Sequence, residues 1–284
     1  MIGLVTCAKY PDLTDDDRPL LSALASLGLE AVPVVWDDPG VNWSRFKALV
    51  LRSVWDYHLR PMEFVAWLGL LESAGVPLWN SIATIRWNMH KRYLRELASR
   101  GVLVPRTEWM ARADPRPLSA VLRHNDWPEA IVKPAISASA TDTWRTSGDI
   151  VDDDRRHREL LERSDILAQE IIREVAVNGE WSLIFIDGGF SHATIKRPRT
   201  GDFRVQTELG GSAEPAQAPA DVISAAAGIT KHIPGAWLFA RIDGVVTPRG
   251  FMLMEVECIE PLLFFQQQPS SLAQFARALA QRVR

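Results

Sequence analysis

The last part of the chain carries acidic residues at a spacing that could bind a metal ion. Two runs rich in apolar residues, 241–247 and 251–257, flank residues 248–250, and the glycine that ends this tripeptide can adopt the positive φ that a three-residue hairpin loop needs. Side chains alternate between the faces of a strand, so pairing Thr247 with Phe251 predicts one charged and one apolar face. The charged face holds Arg241, Asp243, Glu255 and Glu257, and the apolar face holds Ile242, Met254 and Val256.

The predicted pairing places Asp243 opposite Glu255 and Arg241 opposite Glu257. Three carboxylates on one face repel one another unless a cation offsets their charge. An all-oxygen ligand set suits Mg²⁺, with Mn²⁺ as the alternative ion. A second interpretation stays open, an edge hairpin whose solvated acidic face has Arg241 as its counter-ion. A slip of one residue in the register would scatter the acids and favour this second interpretation.

A lysine and the loop that follows it have the composition of a phosphate-binding segment. Residues 129–134 are predicted to form a strand in which Lys133 lies between apolar neighbours and a proline. Residues 137–143 then supply small and hydroxyl side chains, among them Ser137 and Ser139, which suit a lid that covers a phosphate with backbone N–H groups and hydroxyls. The alternative is an ordinary surface loop.

A second loop, residues 200–212, has the composition of a ligand-contacting segment. Arg204 lies near its centre, and Gly210 and Gly211 would let the backbone approach an anion closely.

The hexapeptide 52–57 lies where a strand is predicted to end. Its members Arg52, Ser53, Trp55 and Tyr57 combine a fork-shaped cation with aromatic and hydrogen-bonding groups, which would suit a small substrate that carries a carboxylate. The alternative is a strand end with a surface arginine and with Trp55 in the core.

The elements that must position these residues begin with a small parallel α/β domain. Apolar strands are predicted to alternate with helices, and ligands of such sheets bind beyond the carboxyl ends of the strands. Strands are predicted at 2–8, 30–36, 48–54 and 77–79, and helices at 15–28 and 61–75.

The remainder of the chain is predicted to mix helices with strands that return as hairpins. A long helix at 84–101 contains Lys91, which by itself is a solvated helix lysine. Further strands are predicted at 102–109, 129–134, 166–175, 179–187 and 190–196, and further helices within 145–163, 219–233 and 270–284.

The bulk composition excludes several classes of function. The 284 residues are 47% hydrophobic, enough for two or three packed units, and the net charge is −3. No basic tract indicates nucleic acid or an anionic membrane, and no run is long enough to span a bilayer. Cys7 and Cys258 are predicted to be reduced core residues, and the N-terminus does not resemble a signal peptide, so we expect a cytoplasmic protein.

Taken in order, these motifs resemble the ATP-grasp superfamily of carboxylate-amine ligases, in particular its glutathione-synthetase-like branch. The resemblance covers residues 80–265. It implies an N-terminal α/β domain at 1–82 and an ATP-grasp domain at 83–284, with lobe one at 83–165 and lobe two at 166–284. Residues 50–57, 132–139 and 254–261 are most similar to the group that contains the O-ureido-serine cyclo-ligase of cycloserine biosynthesis.

The resemblance assigns roles to individual residues. ATP would be bound between the lobes, with Lys91, Lys133, Ser137 and Ser139 on its phosphates, Gln169, Glu170, Ile171 and Ile172 against adenine, and Glu180 near the ribose. Lys196, Arg204 and Arg241 would act on the transferred phosphoryl group and the substrate carboxylate, and Asp243, Glu255 and Glu257 would hold magnesium. Arg52, Ser53, Trp55, Tyr57, Gly210 and Gly211 would contact the substrate.

The implied reaction converts a carboxylate of a small molecule into an acyl phosphate, which an amine then attacks. The amine would belong to the same molecule in a cyclo-ligase and to a second substrate in a ligase of the glutathione synthetase type. A nucleotide-binding module without ligase activity is the third alternative. Many members of the superfamily have Asn at the position of Glu257, so the number of metal ions and the role of Glu260 stay open. The resemblance also allows a homodimer.

Overall fold

The computed structural model describes residues 1–147, 150–199, 202, 204–205 and 209–283. Within this part of the chain the strands form three sheets, one parallel and two antiparallel. This arrangement confirms the predicted combination of an α/β unit with α+β lobes.

The parallel sheet is the predicted N-terminal unit. Two of its strands, Ile2–Thr6 and Ala48–Ser53, are buried along their whole length, as expected of parallel strands that are covered on both faces. The sheet has the order β2-β1-β3-β4, formed by β1 (Ile2–Thr6), β2 (Ala31–Val35), β3 (Ala48–Ser53) and β4 (Leu78–Trp79), with helices α1 (Pro19–Ala25) and α2 (Pro61–Ser73).

Helices α3 (Ile82–Asn88) and α4 (Tyr93–Ser99) replace the single helix predicted at 84–101. The break lies around Lys91, whose backbone N–H donates to the carbonyl of Ala135 at 2.8 Å instead of continuing the helix. The helix therefore ends where it bonds to the segment after the Val-Lys-Pro strand.

The middle sheet contains one strand that the sequence places in the other lobe. Residues 166–170, predicted to begin lobe two, pair with two strands of this sheet. The sheet has the order β5-β8-β6-β7, formed by β5 (Thr107–Met110), β6 (Ala130–Pro134), β7 (Trp144–Arg145) and β8 (Ile166–Glu170), with helices α5 (Leu118–His124) and α6 (Ile150–Leu161).

The third sheet is antiparallel and contains the acidic hairpin. Its order is β11-β10-β9-β12-β13, formed by β9 (Glu180–Ile186), β10 (Gly189–Arg197), β11 (Ser212–Ala216), β12 (Phe239–Thr247) and β13 (Gly250–Glu257), with helices α7 (Glu174–Asn178), α8 (Ala220–Thr230) and α9 (Pro269–Val283).

The acids of the hairpin formed by β12 and β13 pair as predicted, but the turn and the strand pairing next to it differ from the prediction. Thr247 pairs with Gly250, so the turn has two residues and not three. The pairing then shifts by one residue, because Gly244 pairs with Leu253 while Asp243 pairs with Glu255, which leaves Met254 as a bulge. The two differences cancel, and the acids lie where the sequence predicts, but Leu253 takes the buried position predicted for Met254.

The N-terminal sheet and the third sheet share a hydrophobic core. Ile2, Leu4 and Val50 of the first sheet belong to the same buried cluster as Phe239 of β12 and Phe275 of α9. The parallel sheet is therefore packed against the third sheet. Among the described helices, none has the length and apolar character needed to cross a membrane.

Candidate active site

Asp243 is the centre of an ion-pair network on the hairpin. Its Oδ1 accepts hydrogen bonds from Ser182 Oγ at 2.7 Å and Arg241 Nε at 3.0 Å, and its Oδ2 accepts from Lys196 Nζ at 2.8 Å. Burial by itself would raise the pKa of Asp243, but Arg241 and Lys196 outweigh it and hold the pKa below its ordinary value. Asp243 is therefore an ionised carboxylate that fixes two cations.

Lys196 bridges two acids from different strands. Its ammonium lies 2.7 Å from Glu180 Oε1 of β9 and 2.8 Å from Asp243 Oδ2 of β12. Burial would lower the pKa of Lys196, but the two carboxylates outweigh it, so the pKa lies above its ordinary value and the ammonium stays charged. The predicted catalytic lysine is thus held beside the hairpin.

The two glutamates of β13 contact different cations. Glu255 lies 2.7 Å from Lys91 Nζ, and Glu257 accepts a hydrogen bond from Arg241. Burial would raise the pKa of Glu255, but Lys91 and Lys133 outweigh it and lower the pKa. Burial and the charges of the other acids exceed the effect of Arg241 and raise the pKa of Glu257 to about 7.

Lys91 and Lys133 come together from different segments. Lys91 is buried, contrary to the local interpretation as a solvated helix lysine, and its ammonium donates to the carbonyl of Ser137 at 2.9 Å. Within the part of the chain that is described, the ammonium of Lys133 has neither an ion pair nor a hydrogen bond. Burial lowers the pKa of Lys133 to about 8, and the nearby Lys91 contributes to the shift while Glu255 opposes it. Lys133 is therefore a cation available to an external anion.

The small-residue loop 137–143 follows these lysines. The Ser137 hydroxyl donates to the Pro134 carbonyl at 3.3 Å, whereas Ser139 is exposed and has a φ of +50°. Thr141 contacts His58 of the first domain at 3.2 Å. The loop thus lies between the lysines and the N-terminal domain.

The residues predicted to contact adenine lie at the end of the middle sheet. Gln169 is buried and donates to the Thr107 hydroxyl at 3.0 Å, and Glu170 accepts two hydrogen bonds of 2.8 Å from Arg106. Ile171 and Ile172 are half-buried in the link that leads to lobe two. They provide an apolar surface in the segment between β8 and α7.

Side chains that sequence reasoning missed hold the edge strand β13 in place. Asn88 donates to the Val256 carbonyl at 2.7 Å and accepts from the Cys258 N–H at 2.8 Å. The Tyr93 hydroxyl donates to the same carbonyl and accepts from the Val256 N–H, both at 3.0 Å. These bonds take the place of a neighbouring strand and fix the glutamates relative to Lys91. The one available signal was Asn88 itself, because asparagine is a poor helix former.

Arg52 and Ser53 are not placed to contact a substrate. Arg52 is 1% exposed, its Nε donates to Asp17 Oδ1 at 2.8 Å, and its Nη2 donates to the Pro261 carbonyl at 2.9 Å. The Ser53 hydroxyl donates to Asp17 Oδ2 at 2.7 Å and is fully buried. The predicted substrate contacts of both residues conflict with this burial, and both instead join the first domain to the segment after β13.

Trp55 and Tyr57 do lie on the side of the acids. The Trp55 indole donates to the Glu260 carbonyl at 2.9 Å. Tyr57 is buried, and its pKa is raised well above the ordinary value by burial and then by the charges of Glu260, Glu255 and Glu257. The end of β3 therefore meets the end of β13.

The loop with Arg204 is described in part. Arg204 pairs with Asp202 at 2.9 Å, which raises the pKa of the guanidinium. Gly210 has a φ of +90°, and a Cβ on Gly211 would overlap the Val205 carbonyl, so both positions require glycine. The predicted loop residues 200, 201, 203 and 206–208 lie outside the described residues.

Two of the three carboxylates predicted to bind magnesium are placed to do so. Mg²⁺ usually takes one or two protein carboxylates and completes its shell with waters and phosphate oxygens. Glu255 and Glu257 share a face of β13 and keep 31% and 25% side-chain exposure, whereas both oxygens of Asp243 contact protein cations. Across the described residues, no three His, Cys, Asp or Glu side chains form a metal cluster. The geometry favours Glu255 and Glu257 as ligands.

Comparisons with known proteins find relatives along the whole chain. Residues 2–80 match the family described as D-cycloserine synthetase DcsG, N-terminal domain. The cycloserine biosynthesis protein DcsG of Streptomyces lavendulae is 31% identical over 303 aligned positions, which cover 100% of this chain and 99% of that protein.

Solved structures give the same result. The crystal structure of D-cycloserine synthetase DcsG is similar with a TM-score of 0.88 and 28% identity, over 100% of this chain and 99% of that one. The ATP-grasp ligase PsnB, solved with a precursor variant, Mg and ADP, has a TM-score of 0.66 at 16% identity, over 100% and 98% of the two chains, which shows the fold alone. The chain has the ATP-grasp fold and belongs to the DcsG family.

Proposed function

We propose that the protein is an ATP- and Mg²⁺-dependent carbon–nitrogen ligase that cyclises a small amino-acid derivative of the O-ureido-serine type. One observation carries the proposal: cations and carboxylates alternate across the hairpin, close to Lys133, in a chain related to a cycloserine biosynthesis protein over its whole length. The proposal extends to Mn²⁺ as a substitute ion, a cytoplasmic location and a homodimer.

ATP with Mg²⁺ supplies the γ-phosphoryl group that turns the substrate carboxylate into an acyl phosphate, from which a nitrogen of the same molecule displaces phosphate. Such a transfer depends on positioning and charge neutralisation more than on covalent participation of the protein. The residues of this chain fit that requirement because they supply fixed cations and acids and no nucleophile is needed.

Each group of residues has a part in binding. Lys91 and Lys133 lie beneath the loop 137–143, where they would hold phosphates, and Glu255 with Glu257 would hold the metal ion. The half-buried pair 171–172 would contact the adenine, and Glu180 the ribose, beside Gln169 and Glu170.

Lys196 and Arg241 are placed for the transferred group and the substrate carboxylate. Asp243 holds both cations at 2.8 to 3.0 Å, so their positive charge is fixed in direction before any ligand binds. Arg204, with Gly210 and Gly211, would close over the substrate from the neighbouring loop.

The test is ADP release with Mg²⁺ and ATP over both enantiomers of O-ureido-serine and a panel of amino acids, each with and without a second amine. We expect turnover with one enantiomer of O-ureido-serine alone, and a loss of about 100-fold or more in Glu257→Ala, since this change removes charge stabilisation at the transferred group. The variant Glu162→Ala, at an exposed acid, is the control.

Each other outcome has a definite meaning. Turnover that needs the added amine would identify an intermolecular ligase, in the manner of glutathione synthetase. Binding of ATP without ADP release for any acid would favour a nucleotide-binding module and contradict the proposal.

A further inference from the structure

His90 and Asp165 form a pair of side chains to which the proposed reaction gives no role. The two groups meet at 3.2 Å between His90 Nε2 and Asp165 Oδ2, and the other ring nitrogen of His90, Nδ1, accepts a hydrogen bond from the Arg92 backbone N–H at 3.1 Å. A nitrogen that accepts cannot carry the proton of a neutral imidazole, so the proton is on Nε2 and is donated to Asp165. The backbone next to His90 therefore fixes its tautomer.

The protonation states of the two groups suit this bond. Burial lowers the pKa of His90 although Asp165 opposes the shift, so the imidazole is neutral. Burial would raise the pKa of Asp165, but the Arg112 N–H, which donates to Oδ1 at 2.8 Å, and His90 outweigh it and lower the pKa. The guanidinium of Arg92 lies 3.9 Å from Oδ2, beyond hydrogen-bond distance. Asp165 is thus an ionised carboxylate that accepts one hydrogen bond on each oxygen.

The pair closes a ring of hydrogen bonds that includes the backbone of Lys91. The Lys91 N–H donates to the Ala135 carbonyl at 2.8 Å, and the Ala135 N–H donates to the Asp165 carbonyl at 2.9 Å. The bond from His90 to the Asp165 carboxylate completes the ring. It joins the break between α3 and α4 to the residue after β6 and to the residue before β8. Of these three bonds, only the one from His90 depends on side chains.

The ring holds one end of Lys91, and the site holds the other. The Lys91 ammonium lies 2.7 Å from Glu255 Oε1 and donates to the Ser137 carbonyl at 2.9 Å, at the start of the loop 137–143. A lysine side chain is long and flexible, so the place that its ammonium reaches depends on where its backbone is fixed.

We propose that His90 and Asp165 are positioning residues that hold Lys91 in place for the phosphates of the nucleotide. The inference rests on the proposed function, since it requires Lys91 to contact phosphate. His90 does not act as an acid or base here, because both of its ring nitrogens are engaged by the protein. Without its bond to Asp165, the segment that carries Lys91 is free to shift, and a small shift of a positioning group is costly.

The experiment measures the affinity of the full-length protein for Mg²⁺ and ADP by calorimetry. His90→Asn retains an acceptor for the Arg92 N–H, as in an Asx-turn, but its amide ends before the position of Nε2. His90→Gln places an amide N–H near that position. We expect His90→Asn to raise the dissociation constant about tenfold, as for the loss of a hydrogen bond to a charged group, and His90→Gln to restore most of the affinity.

A double-mutant cycle with Lys91→Met separates positioning from a merely structural role. If His90 acts through Lys91, His90→Asn should change the dissociation constant by less than about twofold once Lys91 is replaced. A structural role predicts the same factor in both backgrounds. The exposed His124→Asn, in the last turn of α5, is the matched control and should bind as the wild type.

A second cycle does not depend on Lys91→Met. Asp165→Asn turns an amide N–H toward one of the two donors, so it should weaken binding about as much as His90→Asn, and the double variant should be no weaker than either single one. The inference is overturned if His90→Asn binds as tightly as the wild type, or if its effect is the same in both Lys91 backgrounds. A wild type that does not bind Mg²⁺ and ADP would instead contradict the proposed function, and this inference with it.

Discussion

Lys133 has a protonation state that depends on pH near neutrality. Burial lowers the pKa of its ammonium to about 8, so the side chain is charged below that pH and neutral above it. Because only the charged form attracts phosphate, we expect the dissociation constant for Mg²⁺ and ADP to rise about five- to tenfold between pH 7 and pH 9.5.

Calorimetry at a series of pH values tests this expectation. Lys133→Met should bind more weakly at pH 7 and lose most of the pH dependence, while the exposed Lys231→Met should behave as the wild type. A pH dependence that persists in Lys133→Met would assign the titration to another group.

The family resemblance, and not residue types alone, grouped the candidate site residues. The resemblance brought Lys91, Lys133, Lys196 and the hairpin acids to one place, and the structure brings them together. It could not show that Arg52 is enclosed, because enclosure comes from Asp17, 35 positions earlier, and from the carbonyl of Pro261. Glu260 was visible in sequence only as a departure from the family pattern, since its surroundings depend on the arrangement of neighbours.

At the scale of elements, Gly211 is a sensitive point of the loop that we propose contacts the substrate. A Cβ there would overlap the Val205 backbone carbonyl, and backbone cannot give way as a flexible side chain can. We expect Gly211→Ala to lower kcat/KM for the acid substrate at least tenfold, since a small displacement of a positioning loop costs that much.

A matched substitution provides the control. Gly228 lies in α8, where an added Cβ would have no described atom within 4 Å, so Gly228→Ala should stabilise the protein by about 0.5 to 1 kcal/mol and leave kinetics unchanged. Chemical denaturation and ADP release measure both effects. If Gly211→Ala and Gly228→Ala had the same kcat/KM, the loop that contains Gly211 would not be part of the active site.

Helices and strands with a strong local sequence pattern were predicted well, but the segments with which they pair were not. The N-terminal strands and helices and the acidic hairpin follow from apolar runs and turns. The break before Lys91 depends on a hydrogen bond to Ala135, and the membership of β8 in the middle sheet depends on pairing with β5 and β6. Both are long-range contacts without a local signal.

At the scale of the whole molecule, Arg52 connects strand β3 of the parallel sheet to the segment that follows β13. Its guanidinium bonds to Asp17 and Pro261 and lies 4.9 Å from the ring centre of Phe239. We expect Arg52→Met to lower the free energy of unfolding by about 3 kcal/mol, because it leaves a buried carboxylate without its cation.

Urea denaturation measures this change. The exposed pair of Arg86 with Glu72 offers the comparison, and Arg86→Met should cost less than about 1 kcal/mol. If Arg52→Met left the stability unchanged and raised the KM for the acid, the result would support a direct contact of Arg52 with the substrate, which its burial argues against.

The bulge at Met254 has a consequence for evolution. The unpaired extra residue of the hairpin is Met254, one position before Glu255, whereas the two-residue turn contains no extra residue. Loss of that residue would regularise the strand and keep Asp243 opposite Glu255, whereas a change of one residue in the turn would move the acids out of register. In descendants of the same ancestor, insertions and deletions in this hairpin should therefore accumulate at position 254 and be purged from the turn.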